Sequence, residues 1–301
     1  MHRILIPAFP GSNPGSLTAH WKLNIDGWCD IINSKYQWEH VNMYIDESKS
    51  VLMLIMGKYD FSQIFLYCDG VEVFETENIY EESLKLVESE EQENNIKKCK
   101  LQYANYNATV IMPQIINRTA YILLNVNLTL EEAIRKTIHE FVHLVHRCEL
   151  AERMQFVDLY EIERSNDWEY YYYFDEFTTK KKELLIFYEV LYKNKKIADD
   201  NVYIESMKKT IIAAQNSQLD ILQYMRNELS ALAETIAYMK IFPDMFEDHF
   251  IESVSKMRDI DKVVEILWDC DKINDFFVKQ LEFKEVINIL KSNWLPTINI
   301  I

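Results

Sequence analysis

Apolar residues in the second half of this chain recur at the spacing of an α-helix. Leu222, Leu229, Leu232 and Ile236 follow one another at intervals of seven, three and four residues, which places them on one helical face. The same periodicity continues through most of the chain after residue 167. It predicts helices over about 167–195, 202–240, 244–257, 260–270 and 273–291.

The first half of the chain carries shorter apolar segments, which are typical of β-strands. A helix is predicted over 18–33, and a solvated helix or a linker over the acidic stretch 78–100. We expect Asp69-Gly70 to form a hairpin turn. The predicted strand segments are 37–45, 51–56, 63–75, 103–113 and 119–126.

Composition limits the classes of function. The 301 residues are 49% hydrophobic, which is enough to bury a substantial core. The 32 basic and 48 acidic side chains give a net charge of −16, which repels phosphate, so we predict no direct nucleic-acid binding. The chain shows no membrane-spanning run and no secretory leader, and its five cysteines form no CxxC pair. We therefore expect a cytoplasmic protein with reduced thiols and no membrane association.

His139, Glu140 and His143 form an HExxH motif inside an apolar helical run. Residues four apart lie on the same face of a helix, so the two imidazoles can bind one metal ion. Glu140 then lies beside that ion. A carboxylate there can take a proton from water that zinc has acidified to a pKa of about 7, and pass it to a leaving amine. The motif therefore predicts zinc-dependent hydrolysis of peptide bonds, with Glu140 as the general base.

The segments before the motif fit this interpretation. Thr129 and Glu132 have the spacing of a capping box, which predicts the start of the motif helix. The strand predicted over 119–126 precedes it directly. A strand edge offers main-chain hydrogen bonds to an extended peptide, so we expect residues 119–126 to pair with the substrate.

A catalytic zinc site needs a third protein ligand, and several downstream carboxylates compete for that role. Glu149 stands where an HExxHxxGxxH motif would place its last ligand. That motif requires a glycine to turn the chain, and His146 occupies the glycine position here. Cys148 is five residues past His143 and lies on a different helical face. These residues are therefore not expected to be ligands.

Two other glutamates remain as alternatives for the third ligand. Glu163 is followed four residues later by Asp167, which could orient the first histidine of the motif. Glu176 lies in the middle of a long predicted helix, and the small residues Thr178 and Thr179 would let that helix approach the metal closely. We favour Glu176 and keep Glu163 as the alternative.

Together, these segments resemble a known family of peptidases. The predicted strand ending in Leu124-Asn125, the HExxH motif and the acidic, aromatic and small residues around Glu176 are similar to those of the ImmA/IrrE-type gluzincins, over about residues 119–185. The resemblance implies that Glu176 is the third ligand, although Glu234 in Leu232–Ala237 matches the same pattern. It also implies an association with mobile elements and the cleavage of transcriptional repressors.

We therefore predict an α+β fold in which a zincin-like metallopeptidase core, made of a small sheet and the motif helix, precedes a large mainly α-helical region. The expected organisation is a mobile leader over 1–17, a catalytic domain over 18–200 and a helical C-terminal region over 201–301. The predicted function is Zn²⁺-dependent hydrolysis of an intracellular protein or peptide. The alternative is a weakly active or non-catalytic module on the same scaffold, which has a regulatory or binding function and belongs to a mobile element.

Overall fold

The computed structural model describes residues 20–24, 64–104, 106–128, 130–191, 221–243, 246, 250–251 and 260–298. The chain divides into two compact units, Met1–Arg164 and Ser165–Ile301. The architecture is α+β and mainly helical, as predicted. The predicted leader, the domain boundary at residue 200 and the predicted strands at 37–45 and 51–56 lie outside the described residues.

The first unit contains a small mixed sheet and several helices. Its strands are ordered β1-β2-β4-β3; β2 and β4 are parallel, and β1 and β3 pair antiparallel with their neighbours. In chain order the elements are β1 (His20–Asn24), α1 (Ile64–Tyr67), β2 (Cys68–Thr76), α2 (Ile79–Leu86), α3 (Glu90–Lys98), α4 (Lys100–Tyr103), β3 (Ala108–Ile111), β4 (Arg118–Asn125) and α5 (Leu130–Met154).

Local sequence accounts for the helix starts around the sheet. The Asn78 side chain accepts a hydrogen bond from the Glu81 N–H (3.1 Å) and caps α2. Ser89 caps α3 in the same way through the Gln92 N–H (3.2 Å). Each cap satisfies a backbone donor that the first helical turn would otherwise leave unpaired. The acidic stretch 78–100 therefore contains two capped helices, as the helical alternative predicts, and is not a linker. Each of these helices buries residues on one side.

A hydrophobic cluster holds these helices against the sheet. It contains Ile79 and Ile96 from the helices and Ile111 and Leu123 from β3 and β4. Because side chains alternate across a strand, Ile122 and Leu124 face the opposite side of the sheet from Leu123. Both are buried as well. Helix α5 packs against both β3 and β4, so the sheet supports the helix that carries the HExxH motif.

Two predictions for the first unit are wrong. Residues 20–24, inside the segment predicted as a helix, form β1, which pairs with β2. Asp69-Gly70 makes no hairpin, because β2 runs continuously through Cys68–Thr76 with only a register shift between Cys68 and Gly70. Cross-strand pairing outweighs the local preference in both cases. The predicted pair of strands at 103–113 and 119–126 is confirmed as the antiparallel pair β3 and β4, but β3 covers only Ala108–Ile111, and Tyr103 belongs to helix α4.

The second unit consists of packed helices. Aromatic rings join two of them: Phe174 lies 5.4 Å from Phe276 and 4.7 Å from Phe283 between ring centroids, both edge to face. The helices are α6 (Trp168–Leu191), α7 (Ile221–Ile241), α8 (Ile260–Trp268) and α9 (Asp275–Ile298). They follow the predicted helical segments where the structure describes them, whereas residues 192–220, 244–245, 247–249 and 252–259 lie outside the described part. No helix in the described ranges is both long and apolar enough to cross a bilayer.

Candidate metal centre

Helix α5 presents the two histidines of the HExxH motif together. Its apolar residues Phe141, Val142 and Leu144 are buried, which fixes the rotation of the helix. The Nε2 atoms of His139 and His143 are 3.0 Å apart, and the two rings are nearly perpendicular, with centroids separated by 4.6 Å. Both imidazole nitrogens therefore point to one place, as the four-residue spacing predicts.

Glu176 of α6 completes a group of three possible metal ligands. One ligand atom each from His139, His143 and Glu176 lies within 4.8 Å of the others. His139 and Glu176 are buried, and His143 is partly buried. Among the described residues, this is the group of histidine, cysteine and acidic side chains whose atoms are close enough to hold a metal ion.

The donor set and spacing can be compared with those of a zinc site. Zinc binds imidazole nitrogen at about 2.0–2.1 Å and carboxylate oxygen at about 2.0–2.2 Å, so two tetrahedral ligand atoms stand roughly 3.4 Å apart. The histidine nitrogens of this chain already have nearly that separation. The third ligand atom lies within 4.8 Å of the other two. The residues therefore fit a small transition-metal ion.

Glu140 lies beside this group in sequence and is itself buried, with 7% of its surface exposed. Few water molecules reach a buried carboxylate, so few of them compete with a reacting group for its proton. Its position next to His139 is the one that the HExxH motif assigns to a general base.

The other predicted ligand, Glu163, has a different neighbour. Its carboxylate accepts a hydrogen bond of 3.0 Å from the guanidinium of Arg147, which also donates to the Leu159 carbonyl at 3.0 Å. Arg147 is buried and lies one turn beyond His143 on α5. Glu163 thus ties the segment after α5 to that helix. Sequence reasoning missed Arg147, whose signal was a charged residue within an apolar helical run.

Asp167 could orient a metal-binding histidine if Glu163 were the third ligand. Its contacts in the structure are with helix α9 instead. Its carboxylate accepts a hydrogen bond from Gln280 Nε2 (2.6 Å) and forms an ion pair with Lys284. Both partners lie on α9. Asp167 therefore anchors the start of α6 to α9. These contacts do not support the alternative in which Glu163 is the third ligand and Asp167 orients His139.

Cys148 is buried beside a second thiol. The pKa of the Cys148 thiol is raised well above its usual value. The larger cause is a hydrogen bond with Cys68, and the second cause is burial of the thiol. A thiol with a raised pKa is a poor source of the thiolate that metals bind. The group of described side chains that could hold a metal ion does not include Cys148.

A run of four tyrosines, Tyr170 to Tyr173, lies in the first turns of helix α6. The Tyr170 hydroxyl donates to Asn288 (3.3 Å), and the Tyr172 hydroxyl lies 3.4 Å from Ser230 Oγ. Tyr173 donates to Glu169 at 3.5 Å. Tyr171 is fully buried and stacks on Trp168. These contacts account for the rings as packing residues of the second unit.

The strand that we expect to pair with a substrate, residues 119–126, lies inside the described sheet. Strand β4 is hydrogen-bonded to β2 on one side and to β3 on the other. Among the described strands, β1 and β3 form the two edges of the sheet, and β3 is the one beside β4. The Asn125 N–H donates to the Asn107 carbonyl, so the alternation of an antiparallel ladder turns the main-chain groups of Ala108 and Val110 away from β4.

Comparisons of the chain with models of known protein families, with curated proteins and with solved structures gave no match.

Proposed function

We propose that this chain is a zinc-dependent metallopeptidase of the gluzincin type, with a core similar to that of the ImmA/IrrE-type peptidases. The observation that carries the proposal is the convergence of His139, His143 and Glu176 beside the buried Glu140. Two histidines and one carboxylate form the ligand set of thermolysin-like zinc enzymes. His139, His143 and Glu176 would hold the ion.

A zinc ion bound there supplies Lewis acidity, which lowers the pKa of water to about 7 and polarises a peptide carbonyl. Glu140 accepts the proton of the attacking water and then delivers it to the leaving nitrogen, so one carboxylate serves as base and acid in turn. Its burial favours this role, since few waters can take the proton away.

The position of β3 at an edge of the sheet supports a role for this strand in binding the peptide substrate. An extended peptide can add to an exposed strand through main-chain hydrogen bonds, with little demand on its sequence. Ala108 and Val110 carry the outward groups, and β3 packs against the helix that bears the HExxH motif. We therefore assign peptide binding to β3 in place of β4.

The test of this function is hydrolysis before and after removal of the metal. A proteome-derived peptide library is incubated with the purified chain, and new termini are identified by mass spectrometry. We expect cleavage to be lost after treatment with 1,10-phenanthroline and to return with one equivalent of Zn²⁺, because the ion supplies the Lewis acid. Cleavage that survives the chelator would contradict the proposal. A chain that binds zinc but cuts no peptide would instead be the regulatory module.

A further inference from the structure

The edge strand β3 is more accessible at its start than at its end. Ala108 and Val110 are partly exposed, whereas Ile111 and the residue after the strand, Met112, are buried. The ladder with β4 turns the main-chain groups of Ala108 and Val110 outward, and the same alternation continued by two residues turns those of Met112 outward. Met112 is therefore the last outward position on this side of the sheet.

The main-chain groups of Met112 already have partners. Its carbonyl accepts a hydrogen bond of 3.1 Å from Gln92 Nε2, in a buried contact. Its N–H is hydrogen-bonded to the Tyr160 hydroxyl, which is also bonded to the Gln92 side chain. No described residue bonds through its main chain to the outward groups of Ala108 or Val110. A peptide strand can therefore pair with these two positions but not with Met112.

The side chain of Gln92 is shared between its own helix and the strand. Its Oε1 accepts from the Glu88 N–H (3.0 Å), while the Gln92 N–H donates to Ser89 (3.2 Å). This arrangement resembles a capping box at the start of α3, and it uses only the oxygen of the amide. The amide NH₂ supplies two donors, which are directed to Met112 and Tyr160. Glutamate would serve the cap but would have no donor for the strand.

Tyr160 belongs to the segment that follows the HExxH helix. Arg147 holds the chain on both sides of it, because the guanidinium donates to the Leu159 carbonyl (3.0 Å) and to Glu163 (3.0 Å). Arg147 lies on α5, four residues beyond His143. The helix that carries the two histidines therefore also sets the position of the Tyr160 hydroxyl. The closed end of the β3 edge is thus tied to the proposed metal centre.

We propose that Gln92 and Tyr160 are specificity-determining residues, which end the peptide-binding edge of β3 at Met112. A substrate strand pairs with Ala108 and Val110 and has to stop or turn away at Met112, whose main-chain groups are occupied. The substrate is then a chain end or a loop that is extended over only a few residues, and not a long continuous strand. This inference rests on the peptide binding to β3 proposed above.

The experiment measures kcat/KM for peptides built on the best substrate from the library and lengthened by one residue at a time at each end. In the wild type, lengthening one of the two ends should stop raising kcat/KM once the peptide reaches Met112. In Gln92→Ala the same added residue should raise kcat/KM roughly 2–10-fold, because the Met112 carbonyl becomes available for one more hydrogen bond. Ser89→Ala, which weakens the same helix start but keeps the Gln92 donors, is the matched control and should behave like the wild type. If Gln92→Ala does not fold, Gln92→Met takes its place.

Amide hydrogen exchange, followed by NMR, locates the bound peptide on the strand. With the peptide bound to the non-cleaving Glu140→Gln chain, exchange of the Ala108 and Val110 amides should slow, whereas the Met112 amide should be slow with or without peptide. Tyr160→Phe should speed exchange of the Met112 amide in the free chain.

Two results would overturn the role of Gln92 and Tyr160 while leaving the peptidase intact. One is an equal effect of lengthening in the wild type and in Gln92→Ala, and the other is a bound peptide that does not protect Ala108 and Val110. A wild-type chain that cuts no peptide would overturn the proposed function, and this inference with it.

Discussion

Replacing Glu140 with glutamine should leave the metal in place and stop peptide hydrolysis. The substitution keeps the size and the hydrogen-bonding atoms of the side chain but removes its ability to accept a proton. General acid–base catalysis contributes roughly 10²–10⁴-fold to a rate, so cleavage should fall by at least about a hundredfold. The measurement is the rate of cleavage of the best peptide found in the library, together with zinc per chain by atomic emission.

The zinc measurement makes the Glu140→Gln result interpretable. Glu140 is adjacent to a proposed ligand but is not one, so zinc content should match the wild type. Glu163→Gln is the matched control, since Glu163 pairs with Arg147 (3.0 Å) and should retain cleavage. A Glu140→Gln chain that still cuts the peptide at the wild-type rate would rule out Glu140 as the general base.

Replacing His143 with alanine should remove the metal. His143 supplies one of the two imidazole nitrogens that lie 3.0 Å apart, and a single imidazole with one carboxylate is a much weaker chelator. Loss of a residue that only supports a ligand costs roughly 10–100-fold in affinity, so loss of the ligand itself should cost more. We expect near-stoichiometric zinc in the wild type and almost none in His143→Ala.

Two further variants accompany His143→Ala. Glu176→Gln should lose zinc as well, because the carboxylate is the third ligand, whereas Glu163→Gln should keep it. The melting temperature of metal-free His143→Ala should match that of the metal-free wild type, since His143 is only partly buried. Full zinc retention in both His143→Ala and Glu176→Gln would mean that any metal binds elsewhere.

Local periodicity was enough to predict the motif helix and the pair of histidines. Four-residue spacing on an apolar helix fixes the relation of His139 to His143, whatever the rest of the chain does. The same reasoning predicted the helices of the second unit and the antiparallel pair β3 and β4. These features depend on neighbours in sequence, and sequence displays them directly.

The features that sequence reasoning missed depend on distant partners. Residues 20–24 form a strand because β2 is available to pair with them, and no local pattern reveals that partner. The order of the strands places β4 inside the sheet, and the sequence of β4 does not reveal that it has a neighbour on each side. Arg147 has a clear role only once Glu163 is seen beside it.

The choice of Glu176 over Glu163 lies between these cases. Both glutamates follow the HExxH motif at sequence separations that suit a third ligand. The small residues Thr178 and Thr179 are the local feature that favours Glu176 for this role. The contacts separate them: Glu176 joins the two histidines, whereas Glu163 is engaged by a buried guanidinium. A ligand contributed from far along the chain is selected by folding, so the sequence could restrict the candidates but not decide among them.

X-ray absorption at the zinc edge of the purified wild-type chain tests the central claim most directly, because it reports the atoms bound to the ion. The account predicts about one zinc per chain, two imidazole nitrogens and carboxylate or water oxygens at about 2.0–2.2 Å, and no sulfur at about 2.3 Å. A shell that contains sulfur, or only a single imidazole, would contradict a site built from His139, His143 and Glu176.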